Sequence, residues 1–388
     1  MSTAEDSVLQ RRPPPPSPLT VLTGFLGAGK TTLLNRLLKD PALAGTAVII
    51  NEFGDVSLDH LLVEYVGDNM VLLQSGCLCC TMRGDLIDAL ETLLRDLDAR
   101  RCTFTRVLLE TTGLADPAPV LHTAMVHPYL LMRYRLDGVV TVVDAVHGDA
   151  TLDAHQEAIK QAAVADRLVL TKTDIADDVQ RERTVARLRA LNPAAPILDA
   201  AKGEATAERL LNCGLYDPER KIPDVKRWLA EESYAGDTAH AHGHGHHHHG
   251  HDHDHDHNHL DRNRHDDRIR SFVIATDKAI PAGTLDMFLE LLRASHGPRL
   301  LRVKGIVKLA EHPDTPVVVH GVQHVFHPTA RLERWPDDDR RTRLVFITRD
   351  LPEKTVQELF GAFIGTVAPD RPDRAALTDN PLIPFGGR

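Results

Sequence analysis

Aromatic side chains are scarce, 4% of 388 residues, so the cores must be built from the Leu, Val, Ile and Ala that dominate a 42% hydrophobic fraction. No uninterrupted apolar run reaches about 18 residues, which argues against a membrane-spanning helix. The N-terminus also lacks the apolar stretch of a secretory signal, since Arg11 and Arg12 lead into Pro13, Pro14, Pro15 and Pro16. Basic residues are outnumbered: 45 Lys and Arg face 55 Asp and Glu, and the net charge of −10 disfavours a nucleic-acid polyanion as the main partner. Cysteines are few and clustered. Of five, Cys77, Cys79 and Cys80 fall within four positions, a distribution suited to a reducing compartment where thiols serve metals or redox chemistry. A cytoplasmic protein with no membrane or nucleic-acid partner is expected.

The chain is longer than a usual single core, so two domains with linkers are expected. Residues 1–18 read as a disordered, proline-rich tail. Short Val/Leu/Ile runs then alternate with helical segments: Leu19–Leu22, Ala47–Ile50, Met70–Leu73, Val107–Leu109, Gly138–Val143 and Leu168–Leu170. Leu86, Leu90, Leu93 and Leu97 repeat at helical spacing. This alternation predicts an α/β domain over residues 19–230, with a largely parallel sheet flanked by helices. Between His240 and His259, twelve of twenty residues are histidine and three are aspartate. Residues 231–268 therefore read as a flexible linker that builds no core. A small α+β domain is expected over 269–368, and a loosely ordered tail over 369–388.

Gly24-Phe25-Leu26-Gly27-Ala28-Gly29-Lys30-Thr31 fits the phosphate-loop pattern G-x-x-x-x-G-K-[ST], between an expected strand and an expected helix. Glycines allow the backbone amides of Gly27, Ala28, Gly29, Lys30, Thr31 and Thr32 to approach phosphates, aided by the helix dipole. Lys30 is assigned to the outer phosphates and the Thr31 hydroxyl to magnesium. A strand ending in Glu110, with Gly113 three residues on, suits a sensor of magnesium and the γ-phosphate. Thr171-Lys172-Thr173-Asp174 follows another buried strand: a buried Asp174 carboxylate pairs with guanine, and the Lys172 stem lies along the base. Position 171 is Thr where GTPases usually carry Asn. GTP is thus the expected nucleotide.

Gly76-Cys77-Leu78-Cys79-Cys80 lies between a strand and a helix expected to begin near Gly84. Three thiolates this close bind a soft or borderline divalent ion and leave one tetrahedral position for water or a carboxylate. Glu52 and Asp55 are candidates for that position, and also for switch residues near the γ-phosphate. Redox-active thiols are the competing reading.

The motifs GFLGAGKTTLLN, NEFGD, GCLCC, ETTGLADP and TKTD, in this order from Gly24 to Asp174, resemble those of CobW-type GTPases. LLRVKG (300–305) and HGVQHVF (320–326) resemble the small second domain of that family. The resemblance implies GTP phosphates on Gly27 to Thr32, guanine on Lys172 and Asp174, and cargo metal on Cys77, Cys79 and Cys80. Some members of the family act as zinc metallochaperones. Relatives carry Glu where this chain has the shorter Asp55, so its carboxylate is the weaker ligand candidate.

Alternating imidazoles and aspartates in the histidine tract offer many exchangeable sites for zinc, nickel, cobalt or copper. His312, His320, His324 and His327 read individually as surface or core residues. Together these features predict a GTP hydrolase that couples nucleotide state to binding and transfer of a divalent metal, zinc before cobalt or nickel, to a client protein. A metal-dependent oligomer is compatible with that reading. With no evident water-orienting glutamine or arginine finger, slow turnover raised by metal or client is expected. The rivals are a metal buffer with vestigial GTPase activity, and a nucleotide-dependent kinase or redox regulator.

Overall fold

Alternating apolar residues within short β-rich runs commit the N-terminal half to strands buried on both faces. A computed structural model of the protein describes residues 15–53, 70–75, 81–211, 268–326 and 329–365. Its first sheet has seven strands: β1 (Ser17–Gly24), β2 (Thr46–Phe53), β3 (Met70–Ser75), β4 (Arg106–Glu110), β5 (Tyr134–Asp144), β6 (Arg167–Thr171) and β7 (Ile197–Asp199). They lie in the order β3-β2-β4-β1-β5-β6-β7, and every pairing is parallel. Leu19, Val21, Ala47, Ile49, Val107 and Leu109 face one core. Leu22, Val48, Ile50, Leu108, Val140 and Val142 face the other.

The sheet is wholly parallel, where a largely parallel one is expected. β1 begins at Ser17, so the last two residues of the segment read as tail are already in the sheet. β7, a three-residue strand, has too short an apolar run to stand out in the sequence. Helix α1 (Lys30–Leu38) follows the first strand. Helix α2 (Thr81–Asp98) starts three residues before Gly84 and buries Leu86, Leu90, Leu93 and Leu94. Four further helices matter below: α3 (Pro117–Val126), α4 (Pro128–Arg133), α5 (Gly148–Ala154) and α6 (Gln156–Val164).

The C-terminal domain is an antiparallel sheet containing β8 (Ile269–Thr276), β9 (Leu300–Val307), β10 (Val317–Val322), β11 (Val325–Phe326), β12 (Ala330–Arg331) and β13 (Thr342–Arg349). Helices at Ala282–His296 and Glu353–Phe363 cover it through Leu285, Phe288, Leu292, Val356 and Phe360.

This sheet docks on the end of α6. Arg302 of β9 donates to the carbonyls of Val164 at 2.7 Å and Ala165 at 2.6 Å at the helix C-terminus, where Ala165 also accepts from the Asn192 side-chain amide at 2.9 Å. Its other terminal nitrogen pairs with the Asp166 carboxylate, and Lys304 Nζ stands 3.7 Å from the same group. Ala163, Leu301 and Ile347 pack beside the pair, while Val322 and Val325 join the core of the parallel sheet. Burial opposes ionisation of Asp166, but Arg302, Lys304 and His320 together with the Val139 amide outweigh it. The carboxyl is held well below its ordinary range. Of the four histidines read as surface or core, His320 is buried and His312 is exposed. His324 is half-buried, its ring 5.1 Å from that of His122 on α3. His327, Cys213 and the histidine tract lie outside the described residues.

Candidate nucleotide and metal site

All strands of a parallel sheet end on one edge, and here the motif loops leave from that edge. The phosphate loop follows β1 and the Thr111–Asp116 segment follows β4 next to it. Gly24 has φ 144° and is closed in, since a Cβ there would lie 2.3 Å from the Val142 carbonyl oxygen. Gly27 and Gly29 have φ of 70° and 95°, left-handed values that suit glycine. Gly29 caps α1 with no side-chain hydrogen bond and no acidic residue in the first turn. The first amides of α1 therefore meet no competing side chain and are suited to an anion.

Lys30 is buried and folds back across the loop, its Nζ 3.3 Å from the Phe25 carbonyl oxygen. Ala28 is buried, Thr31 half-buried and Thr32 exposed. The Thr31 hydroxyl donates to Glu110 Oε1 at 3.2 Å, across from the next strand. Thr111 secures the start of the sensor loop through its amide to Leu22 O (2.9 Å) and its hydroxyl to Thr23 Oγ1 (2.7 Å). Gly113 is pressed against the phosphate loop: a Cβ would stand 2.6 Å from Leu26 N. The structure thus brings Lys30, Thr31, Glu110 and Gly113 together.

On the base side, the Thr171 hydroxyl lies 2.6 Å from the Ala28 carbonyl oxygen and 3.2 Å from that of Val143. The shorter side chain ties the base loop to the phosphate loop, so Asn is not required for that link. Lys172 sits at φ 58° and pairs with Asp144 at 2.7 Å. Asp174 is exposed, not buried as the specificity argument assumes; its turn projects beyond the end of β6. Beside it runs a second base-side loop that no motif reveals. Asp199 at the end of β7 accepts from the Thr173 hydroxyl (2.6 Å) and the amides of Ala201 (3.0 Å) and Lys202 (3.3 Å). Burial raises the Asp199 pKa, yet these donors bring it below its ordinary value. Asp144, missed for the same reason, is likewise held ionised: burial is outweighed by Lys172, His147 and the amides of Val146 and His147. A cavity of about 210 Å³, lined in part by Leu26, Asp144, His147, Gln161 and Lys172, opens beside the phosphate loop.

Cys77, Cys79, Cys80 and Asp55 lie outside the described residues, and Glu52 is described only as part of β2. Among the described residues no group of three metal-ligating side chains occurs. Cys102 is half-buried, with its thiol pKa raised by burial and by Asp96.

Comparison with known proteins agrees with this arrangement. Residues 18–199 match the model of the CobW/HypB/UreG nucleotide-binding domain, and residues 269–364 that of the cobalamin synthesis protein cobW C-terminal domain. The chain is 33% identical over 349 residues to the zinc chaperone YjiA of Escherichia coli, covering 89% of this chain and 98% of that protein. The chain belongs to the CobW family.

Within that family it is also 30% identical to the zinc chaperone CobW of a Sinorhizobium species, across 89% of this chain and 97% of the relative. A zinc-regulated GTPase metalloprotein activator of Schizosaccharomyces pombe is 40% identical over 167 residues, 41% of this chain and 40% of that one. The crystal structure of Zn(II)-bound YjiA GTPase superposes with a TM-score of 0.60 at 28% identity, over 90% of this chain and 99% of YjiA. Among the described residues of this CobW-family chain, no helix is long and apolar enough to cross a membrane.

Proposed function

We propose that this CobW-family protein is a GTP-dependent metallochaperone, hydrolysing GTP to GDP and phosphate and passing a divalent metal, zinc first, to a client protein. The observation that carries the coupling is the order of strand ends. β2 lies between β3 and β4, with Phe53 opposite Ser75 and Ile50 opposite Glu110. The chain leaving β3 carries the thiolates, the end of β2 with the residues after it carries Asn51–Asp55, and the chain leaving β4 carries the γ-phosphate loop, so the three start from neighbouring strand ends on one edge. Two strand spacings, about 10 Å, separate the outer pair. With β2 between them, a rearrangement of Asn51–Asp55 around the γ-phosphate is the route by which nucleotide state would reach the thiolates.

In this reading Gly24 to Thr32 wrap the phosphates and Lys30 turns from the Phe25 carbonyl to them. Gly113 donates its amide to the γ-phosphate, and Lys172 and Asp174 take guanine. The Thr31 hydroxyl and the Glu110 carboxylate form an all-oxygen pair that fits magnesium. That ion, when bound, neutralises charge on the phosphates. Cys77, Cys79 and Cys80 hold the cargo as thiolates, with Asp55 the candidate fourth ligand. The names of the relatives support zinc and GTP, and the chain covers nearly the full length of two of them. A cytoplasmic location fits the clustered cysteines.

The test is zinc stoichiometry by chelator competition, with the histidine tract deleted to lower its background. Changing Cys77, Cys79 and Cys80 to Ser removes one tightly held ion and leaves basal GTP hydrolysis intact. A triple variant that still holds zinc tightly overturns the thiolate assignment.

A further inference from the structure

Helix α6 carries a side chain that the reading above does not use. Gln161 is completely buried. Its Nε2 donates to the carbonyl oxygens of Gly113 at 3.2 Å and Ala115 at 3.0 Å. Its own backbone carbonyl accepts from the Thr141 hydroxyl of β5 at 2.7 Å. The amide orientation is dictated by its partners, because Oε1 turned towards two carbonyl oxygens would set lone pair against lone pair. Oε1 is thereby left without a partner among the described residues. An apolar side chain of similar size would avoid that buried unpaired acceptor. What the amide contributes is its grip on residues 113 to 115.

The loop so gripped has little freedom on its other side. A Cβ on Gly113 would lie 2.8 Å from Leu26 Cα and 2.7 Å from Leu26 Cδ2, so Gly113 is fitted to the phosphate loop. Strand β5, Gln161, Gly113 and Leu26 form a continuous stack that ends where the γ-phosphate would rest. An ångström of slack anywhere in it moves the Gly113 amide relative to that phosphate, and displacement of this size costs about a hundredfold in rate.

We propose that Gln161 is a positioning residue for GTP hydrolysis: its carboxamide holds the Gly113–Ala115 backbone so that the Gly113 N–H is aimed at the γ-phosphate. The inference rests on Gly113 being the γ-phosphate donor. The role assigned to Gln161 is indirect, since its side chain is completely buried and its amide protons are committed to the loop. Its effect must be confined to the triphosphate state, because GDP offers the loop nothing to meet.

The experiment compares full-length wild type with Gln161→Met, which keeps the volume and removes the donors. Readouts are single-turnover GTP hydrolysis, GDP and GTPγS affinity, and hydrogen exchange of residues 111–116 in both nucleotide states. Expected for Gln161→Met is a hydrolysis rate lower by about tenfold to a hundredfold, GDP affinity within about twofold of wild type, and loss of the GTPγS-specific protection of the loop. If Gln161→Met does not fold, Gln161→Leu removes the same donors without burying a charge and is held to the same expectation. A normal rate with protection retained overturns the role of Gln161 alone. If the wild-type loop gains no protection with GTPγS, the assignment of Gly113 fails, and the inference with it. A rate that falls only in step with GDP affinity and melting temperature reduces Gln161 to a packing residue and also overturns the proposal.

Discussion

At the residue scale, the exchange of a base-loop asparagine for Thr171 shows how one hydroxyl replaces an amide. β6 ends beside the phosphate loop, so a side chain of Thr length spans the gap to the Ala28 carbonyl. The link joins the two loops proposed to hold the phosphates and the base, whatever the number of phosphates. Thr171→Val leaves the buried Ala28 carbonyl without this donor, at a cost of about 1–2 kcal/mol. The expected outcome is a loss of roughly 5- to 30-fold in affinity for GTP and GDP alike, with little change in the hydrolysis rate of bound GTP. Fluorescent-nucleotide titration checks it. A selective loss of GTP would show that the hydroxyl serves the γ-phosphate end instead.

At the element scale, the junction between β9 and α6 decides how the two domains are joined. Asp166 is buried, and its carboxyl stays ionised because Arg302 and Lys304 face it. Removing one partner of such a pair costs about 3–5 kcal/mol, since the charge left behind is still buried. Lys304 and the Val139 amide remain after Arg302→Met, which places the expected loss near the lower end. Since the folded pKa is depressed, the contribution of Asp166 is fully present above its unfolded value, near pH 4, and is lost as pH falls through the lower folded value. Wild type should therefore lose melting temperature progressively below about pH 5. Arg302→Met should melt lower at neutral pH and respond less to acid, because its Asp166 pKa is no longer so depressed. A variant with an unchanged melting curve at both pH values contradicts this account of the junction.

The elements themselves were mostly legible. Runs such as Ala47–Ile50 and Leu168–Leu170 are apolar because both faces of a parallel strand are covered, and that signal is local. The helix of Leu86, Leu90 and Leu93 shows the same transparency. β7 was hidden because its three residues carry too little pattern. The Asp144 and Asp199 turns were hidden because an aspartate that caps its own loop looks like any surface aspartate. The grip of Gln161 on Gly113 joins residues 48 positions apart, and only the packing of α6 against β5 brings them together. Exposure of Asp174 could not be read from the strand before it, since the turn geometry sets it.

At the scale of the whole molecule, the C-terminal domain reaches the loop after β4 as well as bracing α6. Gln323, in the turn between β10 and β11, donates to Asp116 at 3.2 Å. Asp116 also caps α3 through the Ala118 amide (3.0 Å) and pairs with Lys160 of α6 at 2.6 Å. A change of the loop between Glu110 and Asp116 is thus in contact with both domains. The central claim is that nucleotide state and metal affinity are coupled, and coupling is reciprocal. The most direct measurement is the zinc dissociation constant of the protein, with and without its histidine tract, in the GTPγS and GDP forms. A difference of about tenfold or more is expected, equivalent to roughly 1.4 kcal/mol, with a matching effect of zinc on the GTPγS-to-GDP preference. Both effects vanish when Cys77, Cys79 and Cys80 are changed to Ser. Equal zinc affinity in the two nucleotide states would contradict the coupling.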